Sequence, residues 1–343
     1  MSMSRGWVTS LSISFLVLVT GIGLWEWNYA RIGGYSLSME GTTEHWVRWR
    51  EKVVKDPGDK IILIGASRIQ LDMDLATLRK NTGLPVYQLA IDGSSFLPIL
   101  EDLANDQRVM GTILISILPI QLTGDNTDTA NDYVRNYYDW LAAAYKNPWR
   151  LSERVLRELA YKMAPSRSQG VRPETLWMFA LLDKEIFNYF VTYETREVEA
   201  DYSKLDTKAV YAWRFKLHLD SVRQAAEVPY SVIDSTTERL QRATGKIIAR
   251  GGRVVFIQFP IDDKMLAASE LLLPRARYWD EFTASITRSG VSTIHFDDFQ
   301  ELRHFNLPDG SHIDKRDQVA FTQALVDVLN RAAPGWVDQQ LPE

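Results

Sequence analysis

The hydrophobic pattern is continuous at the amino terminus and becomes periodic afterwards. Gly6 to Trp25 runs twenty residues without a charge and includes Leu11, Ile13, Phe15, Leu16, Val17, Leu18, Val19, Ile22 and Leu24. As a helix rising about 1.5 Å per residue, this stretch covers about 30 Å, the depth of a bilayer core. Trp7 near one end and Trp25 and Trp27 near the other suit the headgroup zones. The pattern predicts a transmembrane anchor over residues 1–27. A cleaved signal peptide is the competing reading: Gly21 and Gly23 are small enough for a cleavage site, but bulky Trp25, Glu26 and Trp27 follow and the run is long for a signal core. Arg5 before the run and Glu26 after it place the amino terminus in the cytoplasm, with the body of the chain beyond the inner membrane in the periplasm.

Residues 28–56 are polar with Trp46, Val47, Trp49 and Val53 interspersed, which predicts a short juxtamembrane helix ended by Asp56-Pro57-Gly58. Lys60 to Gly65 (KIILIG) then reads as a strand buried on both faces of a parallel sheet. A helix over Asp74 to Lys80, a strand over Pro85 to Ala90, a helix over Pro98 to Asn105 and a strand over Thr112 to Leu118 complete a βαβαβ unit within residues 57–120. From 121 to 228 the periodicity is helical, over Asn131 to Tyr145, Ser152 to Met163, Glu174 to Phe190 and Ala209 to Ala226, with no convincing strand. This stretch is rich in aromatics such as Tyr133, Tyr137, Trp140, Trp177 and Trp213, and reads as a helical insertion. Its rings serve either packing or a lid, a glycan-stacking surface or a partner-docking surface. The α/β pattern resumes over residues 229–343. It has a helix at Ser235 to Ala249 stopped by Gly251-Gly252, a strand at Arg253 to Phe259, a helix near Tyr278 to Ser289, a strand at Ser292 to Phe296 and a last helix from Lys315 to Asn330.

Composition narrows the chemistry more than the fold. Lys and Arg total 39 against 44 Asp and Glu, a net charge of −5, which offers no bulk attraction for nucleic acid. With no cysteine, disulfides, thiolate metal sites and cysteine nucleophiles are excluded. Neither G-x-G-x-x-G nor G-x-x-x-x-G-K-[ST] occurs, so nothing suggests a nucleotide, and no cofactor is expected.

Doubly wound sheets place their sites at the carboxyl ends of strands, and two positions there stand out. Ser67, in Gly65-Ala66-Ser67-Arg68, follows the first buried strand; its hydroxyl is either a nucleophile or the cap of the next helix. Ile69 stands where the nucleophile elbow G-x-S-x-G requires glycine, so this is not an ordinary α/β-hydrolase turn. Asp309 and His312, in Leu307-Pro308-Asp309-Gly310-Ser311-His312, are spaced so that a carboxylate can hold an imidazole in one tautomer while its other nitrogen meets a hydroxyl. Arg68 beside the serine is read either as paired with a local carboxylate or as a contact for an anionic substrate group.

With these residues in place, the chain resembles the SGNH or GDSL-type hydrolases, whose pattern sets the nucleophilic serine after the first strand of a flavodoxin-like, three-layer parallel sheet and D-x-x-H before the last helix. The resemblance implies that Ser67, Asp309 and His312 form a catalytic triad. It also implies an oxyanion hole from the amides of Ser67 and Gly93, with Arg68, Ser94 and Ser95 in reach of substrate. The third block departs from the family: an asparagine is expected after the third strand, where this chain reads Ile115-Ser116-Ile117-Leu118-Pro119. The resemblance covers residues 60–119 and 251–332. The anchor and the missing asparagine make the chain similar to envelope proteins that assist O-acylation of polysaccharides, which implies a glycan substrate and a multipass membrane acyltransferase as partner. The reaction implied is acyl transfer through Ser67, as an esterase or an O-acyltransferase. Two rivals stand beside it. One is a non-catalytic scaffold on the same fold; the other is a metal hydrolase built on His295, Asp297, Asp298, His304, Asp309, His312 and Asp314, whose spacing lacks H-x-H or H-x-x-x-H.

Overall fold

The computed structural model describes residues 5–32, 42–124, 127–146, 189–288 and 290–337. The chain forms two compact units, residues 1–40 with 144–193 and residues 41–143 with 194–343. In the first unit, helix α1 (Arg5–Ile32) contains Gly6–Trp27, a stretch long and apolar enough to cross a membrane and not buried within the protein.

The second unit is an α/β domain on five parallel strands: β1 (Ile61–Ile64), β2 (Val86–Gln88), β3 (Thr112–Ser116), β4 (Arg253–Gln258) and β5 (Val291–His295), in the order β2-β1-β3-β4-β5. The alternation of side chains along each strand sends neighbours to opposite faces. Ile62, Ile64, Ile113, Ile115, Val254 and Phe256 enter one core, and Ile61, Leu63, Leu114, Val255 and Ile257 the other. Helices α2 (Thr43–Lys55), α5 (Leu97–Asn105), α8 (Tyr230–Ala249) and α10 (Glu281–Ile286) cover the first face through Trp46, Leu100, Leu240 and Phe282. Helices α4 (Leu75–Thr82) and α11 (Gln318–Ala332) cover the second through Leu78, Phe321 and Leu325. Each fully buried aliphatic or aromatic side chain contributes about 1.5–3 kcal/mol, so the two layers fix the sheet, and the sheet fixes its carboxyl edge.

Several elements differ from the sequence-based expectation. Helix α2 is not a separate juxtamembrane piece. Thr42 caps it by accepting from His45 N, Trp46 and Val53 are fully buried, and the Trp46 indole donates to the Leu89 carbonyl at 2.8 Å. The pattern predicts no strand in residues 121–228, but Phe190–Thr192 and Val198–Ala200 are both extended, too short for their alternation to register. The described parts of that stretch after 193 belong to the α/β domain rather than to an insertion. Arg196, buried, donates to the carbonyls of Gln88 at 3.1 Å and Ala90 at 2.8 Å. On helix α6 (Asp128–Lys146), Tyr137 is buried and Tyr138 donates to Asp102 at 2.7 Å. The helix expected over Ser152 to Met163, and that over Glu174 to Phe190 as far as residue 188, with Trp177, lie outside the described residues, while Phe190 itself is extended rather than helical. Helix α7 (Thr207–Ala226) matches its expected place; α9 (Asp263–Leu272) was not foreseen.

Candidate active site

The serine is delivered by the turn after β1. Gly65 has φ +146°, and a Cβ there would lie 2.8 Å from the Ser116 Cβ and 2.9 Å from the Ile69 Cγ2, so the close approach of this turn to β3 requires glycine. Ser67 opens the short helix α3 (Ser67–Leu71), but the N-cap is Ala66, and no side chain caps the helix. The capping role is therefore excluded, and the hydroxyl is used elsewhere: the Ser67 Oγ lies 2.8 Å from His312 Nε2.

The base is built by the turn at 309–312. The Asp309 Oδ1 accepts from the backbone N–H groups of Ser311 and His312, both at 2.9 Å, which fixes the carboxylate within its own turn. Its Oδ2 lies 2.8 Å from His312 Nδ1. A carboxylate there requires the proton on Nδ1, which leaves the Nε2 lone pair to accept from the Ser67 hydroxyl. Ser67, His312 and Asp309 thus form one chain of hydrogen bonds across 245 residues of sequence. The third strand ends in Ser116, which approaches Gly65 and offers no amide side chain at that position.

Two groups that the sequence did not single out complete the carboxylate's surroundings. Tyr202 Oη donates to Asp309 Oδ2 at 2.8 Å, and Arg214 Nε sits 3.4 Å from the same oxygen. Both lie in the stretch read as an insertion, where nothing marked them. Among the described residues Arg68 forms no close ion pair: its Nε donates to the Ser311 carbonyl at 3.3 Å, and Asp72, which caps the end of α3, accepts from Ile313 N at 2.9 Å. The helix that carries the serine therefore grips the turn that carries the base on both sides of His312.

Electrostatics set the protonation states. Burial alone would push the Asp309 carboxyl up, but hydrogen bonds from His312, Ser311 and Tyr202 hold it well below the usual carboxylate range. Burial lowers the His312 imidazole, and the bond to Asp309 only partly offsets this, so the ring is neutral and a competent base at neutral pH. Burial lowers Arg68 to about 10, opposed by Asp72 and Asp309, and it stays charged.

The triad opens on a cleft of about 540 Å³ at the carboxyl edge of the sheet, walled on one side by Arg214, Leu217 and His218 of α7. Gly93, Ser94 and Ser95 line it too. Gly93 has φ +63° with open space where a Cβ would go, so glycine serves the backbone conformation there. Ser95 is buried and its hydroxyl oxygen accepts from Leu97 N at 3.3 Å, near the start of α5. Gln258 and His295, at the ends of β4 and β5, also line the cleft. The rule that sites lie at strand ends would have found both, since their strands were predicted. Among the described residues, no three His, Asp or Glu side chains converge as a metal site requires. No protein-family model matches this chain, and no curated protein matches it.

Proposed function

We propose that the chain is a membrane-anchored serine esterase or O-acyltransferase of SGNH type that handles acyl groups on cell-envelope glycans from the periplasmic side of a bacterial inner membrane. The observation that carries this reading is the pair of 2.8 Å contacts joining Ser67 to His312 and His312 to Asp309 at the mouth of a cleft. In the reaction, Ser67 Oγ attacks the acyl carbonyl as His312 Nε2 takes its proton, Asp309 stabilises the imidazolium, and the leaving oxygen receives the proton back. The acyl group then passes from Ser67 to water or to a glycan hydroxyl. The amides of Ser67 and Gly93 are proposed as the oxyanion donors; one such donor is worth about 3 kcal/mol, so a site without a third-block amide runs slower than one that has it. The sheet order 2-1-3-4-5 is the flavodoxin-like one, which supports the fold half of the reading. The apolar span of α1 supports the anchor. A multipass acyltransferase as partner follows from the resemblance alone.

A second reading, a scaffold on the same fold, is favoured by Ser116 standing where an oxyanion asparagine belongs. Labelling of the full chain in detergent with a fluorophosphonate separates the two. We expect wild type to be labelled at Ser67, and Ser67→Ala and His312→Ala to be unlabelled while folded. An unlabelled, folded wild type would sink the catalytic reading and leave the scaffold.

A further inference from the structure

Beyond the triad, the cleft carries a second polar pair that the proposed chemistry leaves unused. Gln258 and His295 are directly paired in register, at the last positions of β4 and β5. Both line the cleft and both are buried, at 4% and 3% exposure. The Gln258 Oε1 is a buried acceptor with no hydrogen-bond partner among the described residues, a state that costs free energy unless something fills it. His295 Nδ1 accepts from Asp297 N at 3.2 Å, which places the ring proton on Nε2. That Nε2–H makes no hydrogen bond to the described residues. Burial lowers the imidazole to about 4, so at neutral pH the ring is uncharged. Trp279, 5.1 Å from His295 between ring centroids, supplies an aromatic wall to the same part of the cleft.

An unfilled acceptor beside an unfilled donor defines its ligand. A carboxylate or phosphate oxygen would meet the carbonyl of Gln258 without a proton to give it, and an ammonium would meet the donor proton of His295. A hydroxyl serves both, giving its proton to Oε1 and accepting Nε2–H. We propose that Gln258 and His295, backed by Trp279, form a subsite for a hydroxyl of a neutral polyol such as a sugar ring, which orients a neighbouring hydroxyl of the same molecule toward the acyl group on Ser67. The inference rests on the serine reading above and makes it a transferase to glycans. The held hydroxyl does not react. A neighbouring one attacks the acyl carbon, gives its proton to His312 Nε2, and the acyl bond to Ser67 Oγ breaks as that oxygen takes the proton from the imidazolium.

The test acylates the full chain in detergent with p-nitrophenyl acetate. It measures acetylated acceptor against free acetate, with methyl α-D-glucoside or methanol as acceptor. Both products come from one acyl-enzyme, so their ratio does not depend on how fast Ser67 is acylated or how much protein is folded. For wild type we expect the ratio to rise and saturate with the glucoside but to rise linearly with methanol, which has no second hydroxyl. Gln258→Met, which keeps the volume, and His295→Asn, which keeps an acceptor for Asp297 N, should each cut the glucoside ratio about tenfold and leave the methanol ratio within twofold. A glucoside ratio within twofold of wild type in both variants, a parallel fall with methanol, or no saturation in wild type would each overturn the subsite. If wild type forms no acyl-enzyme, the serine reading falls separately. Calorimetric binding of methyl α-D-glucoside then decides: binding lost in Gln258→Met upholds the subsite, and no binding to wild type overturns it.

Discussion

At the scale of single residues, Tyr202 gives the sharpest expectation, because it touches the carboxylate and not the reacting atoms. Its hydroxyl shares Asp309 Oδ2 with His312 Nδ1, so it positions the triad's acid through a bond to a charged group, a type worth about 1.5–3 kcal/mol. Tyr202→Phe is expected to lower kcat about tenfold on an ester substrate with little change in KM. Loss of that bond also lets the Asp309 carboxylate rise and hold the imidazolium more firmly, so the acid limb of the rate profile should move to higher pH than in wild type. Wild type itself should keep activity below the ordinary imidazole range, since burial lowers His312 and only the neutral ring accepts the serine proton. Steady-state kinetics from pH 4 to 9 on both proteins check this, and an unmoved limb with an unchanged kcat would show Tyr202 to be packing alone. The triad residues were legible in sequence because their spacing to strand and helix ends is local. Tyr202 and Arg214 were not: their partner Asp309 lies about a hundred residues away, and nothing in a helical, aromatic stretch distinguishes a tyrosine that reaches a carboxylate from one that packs.

Elements were legible where burial imposes a period. The Ile-rich β1 and the apolar β3 and β4 announced themselves, because a strand covered on both faces has no polar alternation to confuse with a loop. Helix α2 was misplaced for a physical reason: its surface looks charged, yet its arginine is buried with counter-charges from another helix. Arg50 is fully buried, its Nε donating to Asp102 Oδ2 at 2.6 Å and its Nη2 to Asp106 Oδ2 at 3.1 Å, with the guanidinium 4.8 Å over the Tyr137 ring. This pins α2 to α5 and to α6. Removing one partner of a buried ion pair leaves an uncompensated charge, at a cost of about 3–5 kcal/mol. Arg50→Ala should therefore lower the urea midpoint sharply at unchanged m value, whereas alanine at exposed Lys55 on the same helix should change stability by no more than about 0.5 kcal/mol. Equal effects at Arg50 and Lys55 would show that α2 is not part of the folded core.

For the whole molecule, buried imidazoles predict an acid limit to stability. Burial lowers His45 to about 3 and His295 to about 4, against an ordinary value of 6.5 for the unfolded chain. Between those values the unfolded state binds the protons that the folded state refuses, so this part of the stability is complete above pH 6.5 and is lost as pH falls toward 4 and 3. Glu197, raised to about 7 by burial, and Asp72, also raised by burial, work in the opposite sense and cost stability as pH rises, whereas Asp106, Asp201 and Asp309, held low by their hydrogen bonds, lose stability in acid together with the histidines. The melting temperature is expected to fall on going from pH 6.5 to 4, and to fall less in His45→Phe. A wild-type melting temperature that is flat across that range would contradict the burial of His45 against the Glu194 carbonyl, 2.8 Å from its Nε2. The serine and its base sit just after the first strand and before the last helix, 245 residues apart. At synthesis rates of about 5–20 residues per second, roughly 12–50 s separate the emergence of the two. Through that interval the hydroxyl has no base. A chain still being made thus carries no Ser67–His312 pair, and the pair assembles only once His312 has followed Ser67 out of the ribosome.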